Sequence, residues 1–589
     1  MNYINVGGGI PMSASNPAVP ARSAIRTTRP GYDDMMTAHA AAQPATVARR
    51  LALQAQDPDT LIAAEFDAAF YLEQYEDVRL SGMDPLGHFL LHGAAELRDP
   101  NSWFDTGFYV RNNADVVDSD LNPFGHYLTH GKAEGRQPSD QRRAERATLA
   151  RAMPASAYGV GSLPDDAPRP SRATLRAAIA GRLPGSTGLT ISVSHDRYTE
   201  VVGGVQVLVS DEQAAANDGN ETYIHIAPGV ARRTLTSPGT DPSPVHVTID
   251  GVYAGLVGYD DLAQVLTELA ADLPPVRRFV VRCLLGHQID PLIGLHAALA
   301  PATAVFWVND YEAICIGYNL LRNDVAFCGG PPPGSLACRI CVYGAERNDH
   351  LAQVGRLFDA IPFHVVAPSQ AALKVWNGAA RLPQVSVQVH PYVRIRPTAI
   401  RSGLVGATQR GTPDNPVRIA FIGYATPHKG WPAFAQVAAA LVGLDSYRLF
   451  HFTALPDDTP LPGVETVLTK VGPANRGAMT DALVAAAVDL VLVLSTWPET
   501  FCLAAYEATA AGADVIALPD SGNVADMVLA TGRGLVMPDA ASIIQFFTSG
   551  AAVAYVRMAG DQGSGMGWVE SLGMTVTLAL PESVDNTGA

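Results

Sequence analysis

The chain has 589 residues, 48% of them hydrophobic and 17% charged, with a formal net charge of −16. Such a length exceeds one core and suggests roughly three or four domains. The acidic balance argues against non-specific nucleic-acid binding and against broad adhesion to anionic lipid, both of which need basic patches.

The first residues, "MNYINVGGGIPMSASNPAVPARS", lack a basic head followed by an apolar core, so no signal peptide is read there. No stretch reaches about 18 apolar residues without a charge. The expected location is the cytoplasm. Residues 1–60 are rich in Ala, Pro, Ser and Thr without periodicity and are expected to be disordered. An internal repeat follows over 61–140. "FDAAFYLEQYEDVRLSGMDPLGHFLLHGAAELRDP" (66–100) matches "FDTGFYVRNNADVVDSDLNPFGHYLTHGKAEGRQP" (104–138) at a constant offset of 38. A fixed period of this size signals a repeated supersecondary unit, here a helical hairpin. Asp67 and Asp105 are candidate caps of the first helix, and Asp84-Pro85 and Asn122-Pro123 open the second. Gly93 and Gly131 are expected to end it.

A charged linker spans 141–187. From 188 to 400 the pattern becomes strand, loop, helix, with apolar runs at 189–194, 222–227, 245–249, 278–283 and 304–308, expected as buried parallel strands. After a Pro-containing break near 391–416, a second series occupies 413–540, with runs at 417–423, 447–452, 489–495 and 513–518. Two alternating series predict an α/β fold of two doubly wound, Rossmann-like domains. Residues 541–589 form a tail in which no closing helix is evident.

Ligands in such sheets bind beyond the carboxyl ends of the strands, and the informative residues follow strands. Gly203-Gly204 precedes a helix and lets backbone N–H groups approach a phosphate, an ordinary tight turn being the alternative. In "FIGYATPHKGW", Gly423 ends a strand and Lys429 opens a helix. A lysine there is unfavourable against the helix dipole unless an anion is present. In "STWPETFCLAAYEATAAGADVIA", Glu499 lies on a loop and Glu507 in the second turn of a helix starting near Phe501. The Phe501 and Cys502 N–H groups are free donors. One carboxylate can accept from sugar hydroxyls and the other from ribose hydroxyls, while the helix end receives phosphates. The alternative is a capping Glu499 and a surface Glu507.

Glu499, seven residues, Glu507, then "ATAAGADVIA" and "DSGNVADMV", resembles the signature of retaining GT-B glycosyltransferases of family 4. "FIGYATPHKGW" resembles their phosphate loop and Gly203-Gly204 their N-terminal glycine loop. The likeness covers about 188–540. It implies that Glu499 contacts the donor sugar, Glu507 holds the ribose, Lys429 meets the diphosphate and Gly204 lies close to the donor phosphate. It also implies that His287, in "RFVVRCLLGHQIDPL", lines the acceptor side. Two positions depart from the family pattern: Tyr424 stands where Arg is usual, and "NDY" at 309–311 stands where a sub-group has His-Asp-Tyr, so Asp310 and Tyr311 alone carry over as cleft-lining.

The implied activity is a retaining, metal-independent sugar transfer from a nucleotide-sugar to a surface glycan or lipid-linked acceptor, with no required cofactor and no nucleic acid. The rivals are a degenerate scaffold working through its repeats and a GT-B nucleotide-sugar epimerase. Cys315, Cys328, Cys338 and Cys341 could hold a four-thiolate structural zinc, free thiols being the alternative. The histidine pairs His88/His92 and His126/His130 read as helix-terminal residues more readily than as metal ligands. Similar repeats accompany polysaccharide-related transferases, so the module is expected to serve self-association or peripheral docking at the inner membrane face.

Overall fold

The computed structural model describes residues 57–579, apart from 102, 118–120, 140, 159–160, 162, 164, 202, 237–243, 402–408, 457–459, 473–474 and 563. Most of the segment expected to be disordered, 1–56, lies outside the described residues, as does 580–589.

In the repeat module the same side-chain geometry occurs twice. Tyr71 Oη bonds His88 Nδ1 at 3.0 Å, and 38 residues on Tyr109 Oη bonds His126 Nδ1 at 3.0 Å. Asp67 and Asp105 accept from Phe70 N and Phe108 N, and Asp84 and Asn122 cap the next helix. Gly93 and Gly131 end the second helix as expected, each as the last residue of a π-helical turn, but neither is at positive φ and the cap residue that follows keeps right-handed helical angles. A Cβ at either would stand 2.0 Å from the hydroxyl of Tyr71 or Tyr109, so close packing excludes any larger residue.

The first α/β domain contains β1 (Gly188–Val193), β2 (Glu221–Pro228), β3 (Val245–Ile249), β4 (Val252–Val257), β5 (Val276–Val281), β6 (Thr303–Trp307), the short hairpin β7 (Leu321–Arg322) and β8 (Ala326–Phe327), β9 (Phe363–Ala367) and β10 (Ser386–Val389). Its main sheet runs β10-β9-β6-β5-β1-β2-β3-β4. From β10 to β2 the pairs are parallel. The run at 245–249, expected as parallel, is instead antiparallel to both β2 and β4. Asp250 and Gly251, both at positive φ (46° and 79°), make the tight turn that reverses the chain. Part of the expected linker is built into this domain: the helix Arg172–Ala180 buries Leu175 and Ile179 in its core.

The second sheet, all parallel, is formed by β12 (Val417–Ile422), β13 (Tyr447–Thr453), β14 (Val464–Leu468), β15 (Leu490–Val493), β16 (Asp514–Ala517) and β17 (Gly534–Val536), in the order β14-β13-β12-β15-β16-β17. Separate apolar cores cover its two faces. The fold is thus α/β with two Rossmann-like domains. Strand order reverses between β1 and β5 in one sheet and between β12 and β15 in the other, and ligands of such sheets sit outside these points.

The tail is not a loose end. After the helices Ala540–Thr548 and Ala551–Gln562, β18 (Ser564–Ser571) pairs antiparallel with β11 (Val393–Arg401). The next turn, Met574–Thr577, packs on the first domain. Thr575 N donates to Glu212 Oε2 at 2.9 Å, and Trp307 Nε1 donates to Thr575 Oγ1 at 2.8 Å. Glu212 also pairs with Arg282 at 2.5 Å, both side chains fully buried, and accepts from Tyr223 Oη. Among the described residues no helix is long and apolar enough to cross a membrane.

Removing one member of a buried pair strands the other in a low dielectric. Glu212→Ala is expected to cost about 3–5 kcal/mol and to speed amide exchange over 571–578, because Thr575 N loses its acceptor. Denaturant unfolding and hydrogen exchange of the full chain check this; unchanged stability would contradict the anchoring role.

Candidate active site

A cavity of about 330 Å³ lies between the carboxyl ends of the two sheets. Gly203, Gly204, Asn309 and Tyr392 of the first domain line it, together with Gly423, Tyr424, Lys429, Ser495, Glu499, Phe501, Cys502 and Glu507 of the second. The candidates Gly203, Gly204, Gly423, Lys429, Glu499, Phe501, Cys502 and Glu507 therefore all line one cavity.

Lys429 reaches it because β12 ends in a short 3₁₀ turn, Pro427–Lys429, before the helix Trp431–Leu441. The intervening Gly430 has φ +86°, and a Cβ there would lie 2.1 Å from Leu494 O, so the loop must sit tight on the exit of β15. That places Lys429 Nζ 2.7 Å from Glu499 Oε1. Ser495 Oγ donates to the same oxygen at 2.6 Å. Burial works to lower the Lys429 pKa; the Glu499 carboxylate and its hydrogen bond outweigh it and hold the ammonium above its ordinary value.

The helix carrying Glu507 starts at Leu503, two residues later than expected. Cys502 precedes it in the left-handed region at φ 68°, and Cys502, Leu503 and Ala504 line the cavity. The first turn of a helix has unpaired N–H groups and the positive end of the dipole, which suits an anion. Across the cavity, Gly204 opens the helix Gly204–Asp218 with free space where a Cβ would be.

Glu507 is buried and faces a cation that no sequence motif singles out. Arg476 Nη1 lies 3.0 Å from Glu507 Oε1, and its Nε lies 3.5 Å from Asp211 Oδ2 on the first domain's Gly204–Asp218 helix. Burial pushes the Glu507 pKa up and Arg476 opposes that shift. Arg476 sits in the loop after β14, where no periodicity or motif marks it; its partner is 31 residues away in sequence.

The domains are also joined directly. Tyr311 Oη donates to Pro498 O at 2.9 Å, Thr500 Oγ1 to Asn309 O at 2.7 Å and Ser369 Oγ to Thr500 O at 2.7 Å. Asn309 lines the cavity, whereas Asp310 and Tyr311, expected there, do not. Tyr311 is fully buried and Asp310 accepts from Glu312 N.

His287 also stays out of the cavity. It is buried, with Nδ1 2.5 Å from Tyr259 Oη and Nε2 2.8 Å from Ser194 O. Burial lowers its pKa to about 4. Both ring nitrogens of the neutral imidazole are spent on the domain's own structure. The resemblance implies a cleft-lining histidine after this strand, but the loop turns the ring inward. The four loop cysteines line one small cavity and all are free thiols. Arg347 Nη1 approaches Cys338 Sγ at 2.9 Å, and among the described residues no three His, Cys, Asp or Glu side chains are grouped to hold a metal.

No protein-family model and no curated protein matches the sequence. Among solved structures, the chain is similar to Anabaena HepE in complex with UDP and glucose (13% identity, 67% of this chain and 97% of that one, TM-score 0.36). It is also similar to WaaG, a glycosyltransferase involved in lipopolysaccharide biosynthesis (14%, 63% and 93%, TM-score 0.39). A third is an alpha,alpha-trehalose-phosphate synthase (UDP-forming) from Burkholderia vietnamiensis (11%, 64% and 93%, TM-score 0.34). Identities and scores this low leave any functional reading to rest on the chain's own geometry.

Beyond β6 lies a buried acidic cluster. Glu312 accepts from Leu284 N and from Cys283 Sγ, and Asp310 lies beside it. Burial raises both carboxyl pKa values, and the Asp310 charge raises that of Glu312 further. His195 faces the pair; burial lowers its pKa, but Asp196, Asp310 and Glu312 together raise it. A raised carboxyl keeps, in the folded state, a proton that the unfolded chain has already lost. Its stabilisation is complete below the ordinary carboxylate range and disappears as pH rises through the folded-state value. His195, also raised, acts in the same direction. Glu312→Gln keeps the acceptor for Leu284 N and removes the titration. The variant is expected to lose less thermal stability than the parent between about pH 5 and about pH 8; parallel melting-temperature profiles would contradict the assignment.

Proposed function

We propose that the chain is a glycosyltransferase that moves a sugar from a nucleotide-sugar to a glycan or lipid-linked acceptor, with retention of anomeric configuration and without a metal. The observation that carries the reading is the convergence of Lys429, Glu499, Glu507 and the first turn of Leu503–Ala510 on a cavity between two Rossmann-like sheets. A cation beside a helix N-terminus fits a diphosphate. In this reading Lys429 and the helix end stabilise the departing nucleoside diphosphate, Glu499 holds hydroxyls of the donor sugar and Glu507 the ribose. The bond from the anomeric carbon to the diphosphate breaks. The acceptor oxygen bonds to the same face of that carbon, and its proton passes to the leaving phosphate oxygen. Arg476 is a positioning residue that orients Glu507 and opposes the rise that burial imposes on its pKa.

Tyr424, 39% exposed at the mouth of the cavity, is the observation that favours the second reading, a scaffold that binds donor without transferring it. That outcome would appear as donor binding with no release of nucleoside diphosphate in the presence of acceptors, and release without any acceptor would favour an epimerase.

A panel of UDP- and GDP-sugars in a thermal-shift experiment tests the site. A ligand at 100 times its Kd stabilises the native state by about 2.7 kcal/mol. One donor is expected to raise the melting temperature, with the shift lost in Glu507→Ala and Lys429→Ala. An unchanged shift in both variants would overturn the assignment.

A further inference from the structure

Beside the donor cavity opens a second and larger one, of about 780 Å³. The two share Tyr424 and Thr453 in their walls. Three parts of the chain build the second groove: the helix Gln141–Arg151 with the segment after it, the first domain's loops at Arg233 and 316–324 with Tyr343, and the second domain's loops at 424–432 and 453–456. The segment expected as a linker is therefore a wall. It is fixed there by Glu346, whose carboxylate accepts from Ala155 N at 2.9 Å and from Ser156 N at 3.1 Å. That contact brings Tyr158 to the groove, where the Arg233 guanidinium lies 3.7 Å from its ring centroid.

The lining is aromatic and cationic in a chain that is strongly acidic as a whole. Tyr158, Tyr318, Tyr424 and Trp431 present ring surface, which offers an apolar face with a polar edge. Arg151 and Arg233 are exposed, and neither forms an ion pair among the described residues. Arg151 Nε donates only to Ala147 O. The one carboxylate of the lining, Asp324, accepts from Tyr343 Oη at 2.7 Å. His428, also in the wall, is held neutral by burial, with its pKa lowered to about 4. Two guanidiniums with no ion pair among the described residues, that of Arg233 lying over the Tyr158 ring, match a saccharide that carries an anionic group: the rings take the C–H faces of the sugars and the guanidiniums take the charge.

Resting on the transferase reading, we propose that this groove is the acceptor site and that the acceptor is an anionic glycan, a saccharide chain bearing carboxylates, held by Arg151 and Arg233. The aperture at Tyr424 and Thr453 presents its terminal hydroxyl to the donor cavity. Tyr424 thus belongs to the acceptor side, at the position where the family pattern has Arg.

Calorimetric titration of the full chain with a short oligogalacturonate, against a neutral malto-oligosaccharide of equal length, tests this. The charged saccharide is expected to bind at least about tenfold more tightly, a difference of about 1.4 kcal/mol, and to weaken with added salt. Arg151→Ala/Arg233→Ala is expected to lose that margin while keeping the nucleotide-sugar thermal shift, since neither side chain lines the donor cavity. Tyr158→Ala is expected to weaken both saccharides. Equal binding of the two, binding that survives the double substitution, or binding of neither would overturn the proposal. Absence of any donor shift in the parent chain would instead count against the transferase reading itself.

Discussion

The cleft is organised around a buried carboxylate that is paired with a cation, Glu499 with Lys429. Glu499 is 4% exposed, and Lys429 and Ser495 both donate to its Oε1. Without the ammonium its ionised form would be costly to bury. The pairing depends on β12 and β15 being neighbours in the sheet, because the two residues leave from the exits of those strands. Strand order thus determines which loops can meet, and the ion pair determines where they stop. Glu507 and Arg476 repeat the arrangement one helical turn further in, with Asp211 drawing the first domain into the same network.

The two domains are held around this cleft from both ends. On the cleft side, backbone carbonyls at 498 and 500 accept from Tyr311 and Ser369. On the far side, the tail returns to the first domain, with β18 on β11 and Thr575 on Glu212. The Arg282–Glu212 pair is buried completely and lies against Trp307, so its strength comes from a low dielectric and from the hydrogen bonds completing the carboxylate. A shared apolar cluster containing Trp307, Tyr392, Phe501 and Met574 fills the space between the two ties.

What was legible in the sequence was local. Buried apolar runs ending in Gly or polar loops gave the parallel strands β1, β2, β5, β6, β12, β13, β15 and β16, and the residues just after them gave Lys429, Glu499 and Glu507. The 38-residue offset gave the repeat and its caps. What could not be read depends on partners far along the chain. Gly93 ends a helix as its neighbours suggest, but the Tyr71 hydroxyl packed against it, which dictates its size, could not be read. His287 follows a strand, yet Tyr259 and Ser194 turn it inward. Arg476 pairs with residues of two other elements and carries no periodic signal. The run 245–249 is as apolar as a parallel strand; only the Asp250-Gly251 turn behind it shows the reversal. The linker and the tail acquire structure from distant partners: Glu346 and the first domain's core for the linker, β11 and Glu212 for the tail.

The central claim is that this cleft receives a nucleoside diphosphate on Lys429 and the Leu503–Ala510 helix end. A crystal structure of the full chain with the nucleoside diphosphate that stabilises it most tests it directly. The account predicts the diphosphate within hydrogen-bond distance of Lys429 Nζ and of the first-turn N–H groups, with ribose hydroxyls on Glu507. A nucleotide bound elsewhere, or a cleft left empty at saturating nucleotide, would contradict it.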